Sequence, residues 1–110
     1  NKMANTFKSN LSANITTSGV DVYTCPSSTQ TTLIGLTLSN KTAGTVTASV
    51  FLTRSSVDYS LVTNAPIQTG STLVPVGGEQ KVVLQAADKL KVTCSAATSI
   101  DAIVSLLEIA

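Results

Sequence analysis

The stretch Thr45-Val46-Thr47-Ala48-Ser49-Val50-Phe51-Leu52-Thr53-Arg54 decides the fold. Val46, Ala48, Val50 and Leu52 fall on one side of a two-residue period. Thr45, Thr47, Ser49, Phe51 and Thr53 fall on the other. A half-buried strand reads this way, whereas an amphipathic helix would repeat its apolar positions every three to four residues. One face goes to a core. The Thr face, interrupted by Phe51, is half-dry and suits either solvent or an interface.

Working outward from that strand, the same grammar recurs. Before it, Asn40–Gly44 is a turn and Thr31–Ser39 a more apolar strand, with Leu33, Ile34, Leu36 and Leu38 around Gly35. A glycine inside a strand marks a bulge or a close backbone approach. Val20–Cys25 is a further strand, broken by Pro26-Ser27-Ser28. After the central stretch, Val57–Thr63 is a short strand and Asn64–Gly70 a loop. Ser71–Val76 is edge-like, because Pro75 cannot donate to a ladder. Gly77-Gly78 turns the chain into Gln80–Leu84, and Ala86-Ala87-Asp88 turns it again. Leu90, Val92 and Cys94 then alternate with Lys89, Lys91 and Thr93. Ile100–Ile109 is apolar on both faces apart from Asp101, Ser105 and Glu108, the pattern of an interior strand.

Short β-branched runs with turn residues every 8 to 12 positions define an all-β chain. The expected fold is a single β-sandwich of about eight strands, jelly-roll-like or Greek key, with an extended N-terminal arm. Residues 1–14 form the arm and residues 15–110 the sandwich domain. Phe7, Leu11 and Ile15 are spaced by four, which permits one or two amphipathic helical turns. The Asn and Thr residues between them allow an extended tail equally, and both conformations stay open. The polar run Asn1–Lys8 lacks the apolar core of a secretory signal. No segment reaches the length of a membrane span; Ile100–Ala110 is too short and carries Asp101 and Glu108.

Charge and chemistry narrow the function. The 110 residues include seven Lys or Arg, six Asp or Glu, and no His or Trp, for a net charge of +1. That balance offers no basic footprint for a nucleic-acid backbone. Without His, zinc sites, Ser-His-Asp triads and Cys-His dyads cannot be built in their usual forms. The six carboxylates sit singly, in turns or on wet strand faces, with no Asp-x-Asp spacing, so no glycosidase pair or metal cluster is expected. Asp88 reads as a turn residue bonding nearby backbone N–H groups. Asp101 and Glu108 are expected to meet Lys or Thr across a strand. Lys81, Lys89 and Lys91 would cluster as a solvated face if their strands pair. Cys25 and Cys94 stand too far apart for a redox or metal motif. They read as two half-buried thiols acting as small hydrophobes, or as a disulfide if their strands are neighbours. The chain is therefore read as non-enzymatic and without cofactor.

Charged residues make up 12% of the chain, against about 25% in ordinary soluble domains. Ser and Thr, 31 of the 110 residues, take their place. A weakly charged, Thr-coated surface suits a protein packed against copies of itself or a partner. Phe7, Leu11, Ile15 and Phe51 are the candidate interface residues. Phe7, Leu11 and Ile15 either dock on a neighbouring protein or cover the end of their own sandwich.

Three runs carry a family resemblance: Thr31–Asn40 (TTLIGLTLSN), Gly77–Leu84 with Ala87–Val92, and Ile100–Ile109. They resemble strands of small β-sandwich structural proteins of tailed-phage virions, from Val20 onward. Where that group often has Gly-Asp in a turn, this chain has Ala87-Asp88, which points to a turn not needing positive φ. The resemblance implies a virion protein, assembled in the host cytoplasm, that binds the major capsid protein or other virion proteins. It also implies a homo-oligomer, a trimer by preference, with neither nucleic acid nor membrane as partner. Head decoration (cement) is the first reading; a neck, collar or tail accessory protein is the second. A carbohydrate- or surface-binding β-sandwich module is the alternative class, disfavoured by a supply of only four aromatic residues.

Overall fold

In a computed structural model, which describes residues 5–13, 15–76 and 81–110, the alternation at Val46–Arg54 becomes a strand with Val46, Ala48 and Val50 buried. Nine strands are present among the described residues: β1 (Asn5–Ser12), β2 (Val20–Thr24), β3 (Gln30–Asn40), β4 (Val46–Arg54), β5 (Val57–Ile67), β6 (Thr72–Val76), β7 (Val82–Leu84), β8 (Lys89–Cys94) and β9 (Ile100–Ile109). They form two antiparallel sheets. The five-stranded sheet runs β1-β9-β3, with β6 and β7 both on the far flank of β3; the four-stranded sheet runs β2-β8-β4-β5. One core fills the space between them. Its fully buried side chains include Leu33, Leu36 and Leu38 of β3, Val50 of β4, Leu90 and Val92 of β8, and Val104 and Leu106 of β9.

Several expectations change on contact with the structure. The segment read as an arm or a helical turn contains β1, which pairs along its whole length with β9, from Asn5↔Ile109 to Ser12↔Ala102. Phe7 and Leu11 lie four apart, so they share a face in a strand as well as in a helix. The open edge of β9 supplies the ladder partners that select the strand. Asn10 stitches β1 to the other sheet, its Nδ2 donating to the Val22 carbonyl at 3.1 Å. Asn1–Ala4, the Gly77-Gly78 turn and Gln80 lie outside the described residues.

The loop expected over Asn64–Gly70 starts later, because β5 continues to Ile67. Asn64 takes a left-handed φ of 49° at a register shift, and its N–H donates to Ser49 Oγ at 2.9 Å. β5 is an edge strand, so Pro66 is tolerated there. Gly35 does mark a bulge: the β3–β9 register shifts between Leu33 and Gly35. It is not a close approach, since a Cβ there would meet nothing nearer than the Val76 carbonyl at 3.7 Å. β7 and β8 belong to different sheets, so the three-lysine cluster does not form.

The cysteines are free and buried. Cys25 follows β2, whose end pairs at Lys89, while Cys94 closes the opposite end of β8. About five residues of strand, or roughly 17 Å, separate those ends. Bridged cysteines need Cα atoms within about 7 Å, so these two cannot join.

The turn before β8 reverses one further expectation. Ala87 takes a φ of 72°, so this turn does use the left-handed region. Backbone bonds hold it there: Ala87 N–H to the Cys25 carbonyl at 2.9 Å and Cys25 N–H to the Asp88 carbonyl at 2.8 Å. A Cβ in this region costs about 1–2 kcal/mol, partly offset by the looser unfolded chain that glycine brings. Ala87→Gly is therefore expected to stabilise the fold by roughly 0.5–1 kcal/mol, read as a higher urea midpoint with unchanged slope.

Candidate interaction surface

The two sheets turn very different faces outward. On the four-stranded sheet, Lys91 Nζ meets Asp58 at 2.5 Å and Lys89 Nζ meets Asp21 at 3.7 Å. Phe51 lies on this face, half-buried, with Lys91 Nζ 5.5 Å from its ring centre. That contact is a cation–π arrangement, so the apolar side chain that interrupts the Thr row has a charged cover of its own.

The outer face of the five-stranded sheet is dry. Its residues fall in rows across the strands, fixed by the ladder register. One row is Phe7, Leu107, Thr32 and Val83; another is Leu11, Ile103 and Thr37. Between them lies a row of small residues, Ser9, Ser105 and Gly35. Phe7 is 76% exposed and Leu11 74%; Ile103, Val83 and Val74 of β6 are exposed as well. Asp101 stands at one end of the face, where Lys41 binds it at 2.8 Å, and Lys81 lies at its edge just before β7. Of the four candidate interface residues, Phe7 and Leu11 therefore share this face and Phe51 sits on the opposite one. Ile15 is fully buried in the chain's own core, covering the end of the sheets.

Ile103, Leu107, Val74 and Val83 did not stand out in the sequence. The signal was present in Ile100–Ile109. A strand apolar on both faces is a strand covered on both faces, yet the two sheets of the described residues cover β9 on one side.

Inside, a polar cluster closes the seam between β1, β2, β3 and β9. Tyr23 Oη donates to Glu108 Oε2 at 2.5 Å and lies 2.8 Å from Thr31 Oγ1; Lys8 Nζ reaches Glu108 Oε1 at 2.9 Å. Burial and the neighbouring Glu108 carboxylate raise the Tyr23 pKa. Lys8, and then the Tyr23 hydroxyl, hold Glu108 below the ordinary glutamate range. Close by, past Cys25, Asp88 is both the expected turn residue and part of a clamp. It accepts from Gln85 N–H at 2.8 Å and from Arg54 through Nε at 2.9 Å and Nη2 at 2.6 Å. Arg54, and then the Gln85 N–H, hold Asp88 below the usual carboxylate range. Lys91, and then Thr53, do the same for Asp58. Five carboxylates are thus each engaged in an ion pair. Among the described residues no three metal-ligating side chains gather.

No protein-family model and no curated protein sequence matches the chain. Solved structures of similar fold include these two. One comes from the work describing Bacillus endospore appendages as a novel family of disulfide-linked pili: 12% identity, TM-score 0.57, covering 97% of this chain and 86% of that one. The other belongs to the infectious bursal disease virus particle, at 9% identity and TM-score 0.50. The match covers 96% of this chain and 31% of that one, so this chain spans about a third of the viral protein. At these identities the likeness is one of fold.

The carboxylates give a pH signature. A carboxylate whose folded pKa is depressed contributes stability that is complete above its unfolded pKa and disappears as pH falls through the folded value. The urea midpoint is therefore expected to hold from neutral pH to about pH 5 and to fall below about pH 4. Asp88→Asn and Glu108→Gln should each lower the midpoint at pH 7 and flatten that acid decline, measured by urea titrations at stepped pH.

Proposed function

We propose that this chain is a non-enzymatic structural protein of a virion that assembles in many copies. The specific reading is a head decoration (cement) protein of a tailed phage, bound to the major capsid protein and stabilising the assembled shell. The observation that carries it is the dry outer face of the five-stranded sheet. Exposed Phe7, Leu11, Ile103, Val74 and Val83 form the patch that protein contacts cover, with Asp101 at one end paired to Lys41. The strand order β1-β9-β3-β6 opposite β2-β8-β4-β5 supports the jelly-roll reading of the sandwich. Two chains of similar fold come from a pilus and a virus particle, both built from repeated subunits, which supports assembly over catalysis. The engaged carboxylates support it too, because a general acid or base needs a group free to exchange a proton. Tyr23 is turned inward onto Glu108, which removes it as a stacking surface for sugars.

Cosedimentation of the purified protein with heads that lack it tests this directly, scored by copies per particle. Saturation at hundreds of copies is the expected outcome and reflects binding across the symmetry-related sites of the shell. Saturation at about a dozen copies would move the protein to the neck or tail, where ring symmetry sets the number. No binding would overturn the virion reading and send the protein to a glycan array.

A further inference from the structure

The dry face has a relief as well as a composition. Along the strands, a row of large side chains (Phe7, Leu107, Val83) is followed by the small row Ser9, Ser105 and Gly35, then by a second large row, Leu11 and Ile103. Two ridges flank a furrow, each about 7 Å from it along the strands. β9 supplies the middle of all three rows and is hydrogen-bonded on both flanks, so the relief is held on rigid ladder.

We propose that this face takes a second copy of the same chain, packed back to back about a two-fold axis. The proposal rests on the assembly reading above and names the partner of its dry face. Three observations select a copy of this chain. The first is charge. The Leu11–Ile103 end of the face leaves an oppositely charged partner little to match, since Asp101 there is already neutralised by Lys41. A two-fold axis lying across the strands reverses the strand direction in the partner. With the ridges set into the furrows, Asp101 of one copy lies over the Phe7–Leu107 ridge of the other, and the two Asp101 side chains stay far apart along the strands.

The second is relief. In that reversed arrangement the Leu11–Ile103 ridge of each copy lies over the furrow of the other. Both insertions are made by a single operation, which is the reciprocity an isologous interface requires. The third is area. Four strands at about 4.8 Å spacing and about nine residues at about 3.3 Å rise outline roughly 600 Å². Two such faces remove roughly 1,200 Å² from water, the lower end of the range for stable protein pairs. Sheets stacked this way keep their strands within about 30° of each other, so the natural twist is accommodated.

Sedimentation velocity of the intact chain, from low micromolar to a few hundred micromolar, reads the outcome. Wild-type protein is expected to shift from monomer to dimer across that range. Ser105→Arg places a charge in the furrow at an exposed position and is expected to weaken the dimer at least about 100-fold. Gly35→Val fills the furrow where the folded chain has room, given the 3.7 Å clearance, and should do the same. Thr24→Arg, exposed on the opposite sheet, should leave the dimer unchanged. Circular dichroism confirms that each variant keeps its fold. A wild-type chain that stays monomeric or forms a trimer overturns the proposal. So do a dimer that survives both furrow variants and one that Thr24→Arg breaks. Head binding by a monomeric chain would overturn the pair and leave the decoration reading intact. A dimer that ignores heads would do the reverse.

Discussion

Thirteen charged side chains serve a 110-residue chain, and at least ten of them are engaged with one another in ion pairs. That scarcity shapes the molecule. Exposed pairs are worth little individually, typically under about 1 kcal/mol. What matters is where they stand. Lys89–Asp21 and Lys91–Asp58 wet the outside of the four-stranded sheet, Lys8–Glu108 and Arg54–Asp88 clamp strands and turns together, and Lys41–Asp101 sits at one end of the dry face. Much of the five-stranded sheet's outer surface is left to Ser, Thr and exposed aliphatic or aromatic groups. The two-faced character of the protein follows from that distribution.

Two of the clamps hold the sheets as well as shape their charge. Glu108 reaches inward to Tyr23 and outward to Lys8, tying the last strand to the first and second. Asp88 fixes the turn before β8 and receives Arg54 from the end of β4. A carboxylate in either place is costly to bury without its donors, and both have a full set. The same engagement that makes these groups structural removes them as acids or bases, and so the architecture and the proposed non-catalytic role have one physical origin.

The strands were legible because their side chains alternate, and β4 at Val46–Arg54 is the clearest case. The bulge at Gly35 and the edge character of the strand holding Pro75 were legible for backbone reasons. What stayed hidden was pairing. Nothing local in Asn5–Ser12 says that β9 offers it a ladder, and nothing in Lys81 or Lys89 says that their strands enter different sheets. The left-handed φ of Ala87 was hidden for a related reason: the backbone bonds that hold it involve Cys25, more than sixty residues away in sequence. The dry face was half legible. Phe7 and Leu11 stood out, but Ile103 and Leu107 looked like core, because two-sided apolarity does not say whether the second cover belongs to the chain.

The central place of β9 also governs when the fold can form. It lies between β1 and β3, so the five-stranded sheet has no middle until residues 100–109 have been made. Until then β1 has no ladder partner, and β3 keeps one flank unpaired. Such non-local pairing slows folding, because the chain must close long loops before the contacts repay them. A nascent chain with open strand edges is also prone to join its neighbours wrongly. This sheet therefore cannot be completed before residues 100–109 have been synthesised, and that single strand acts as the timer for the whole molecule.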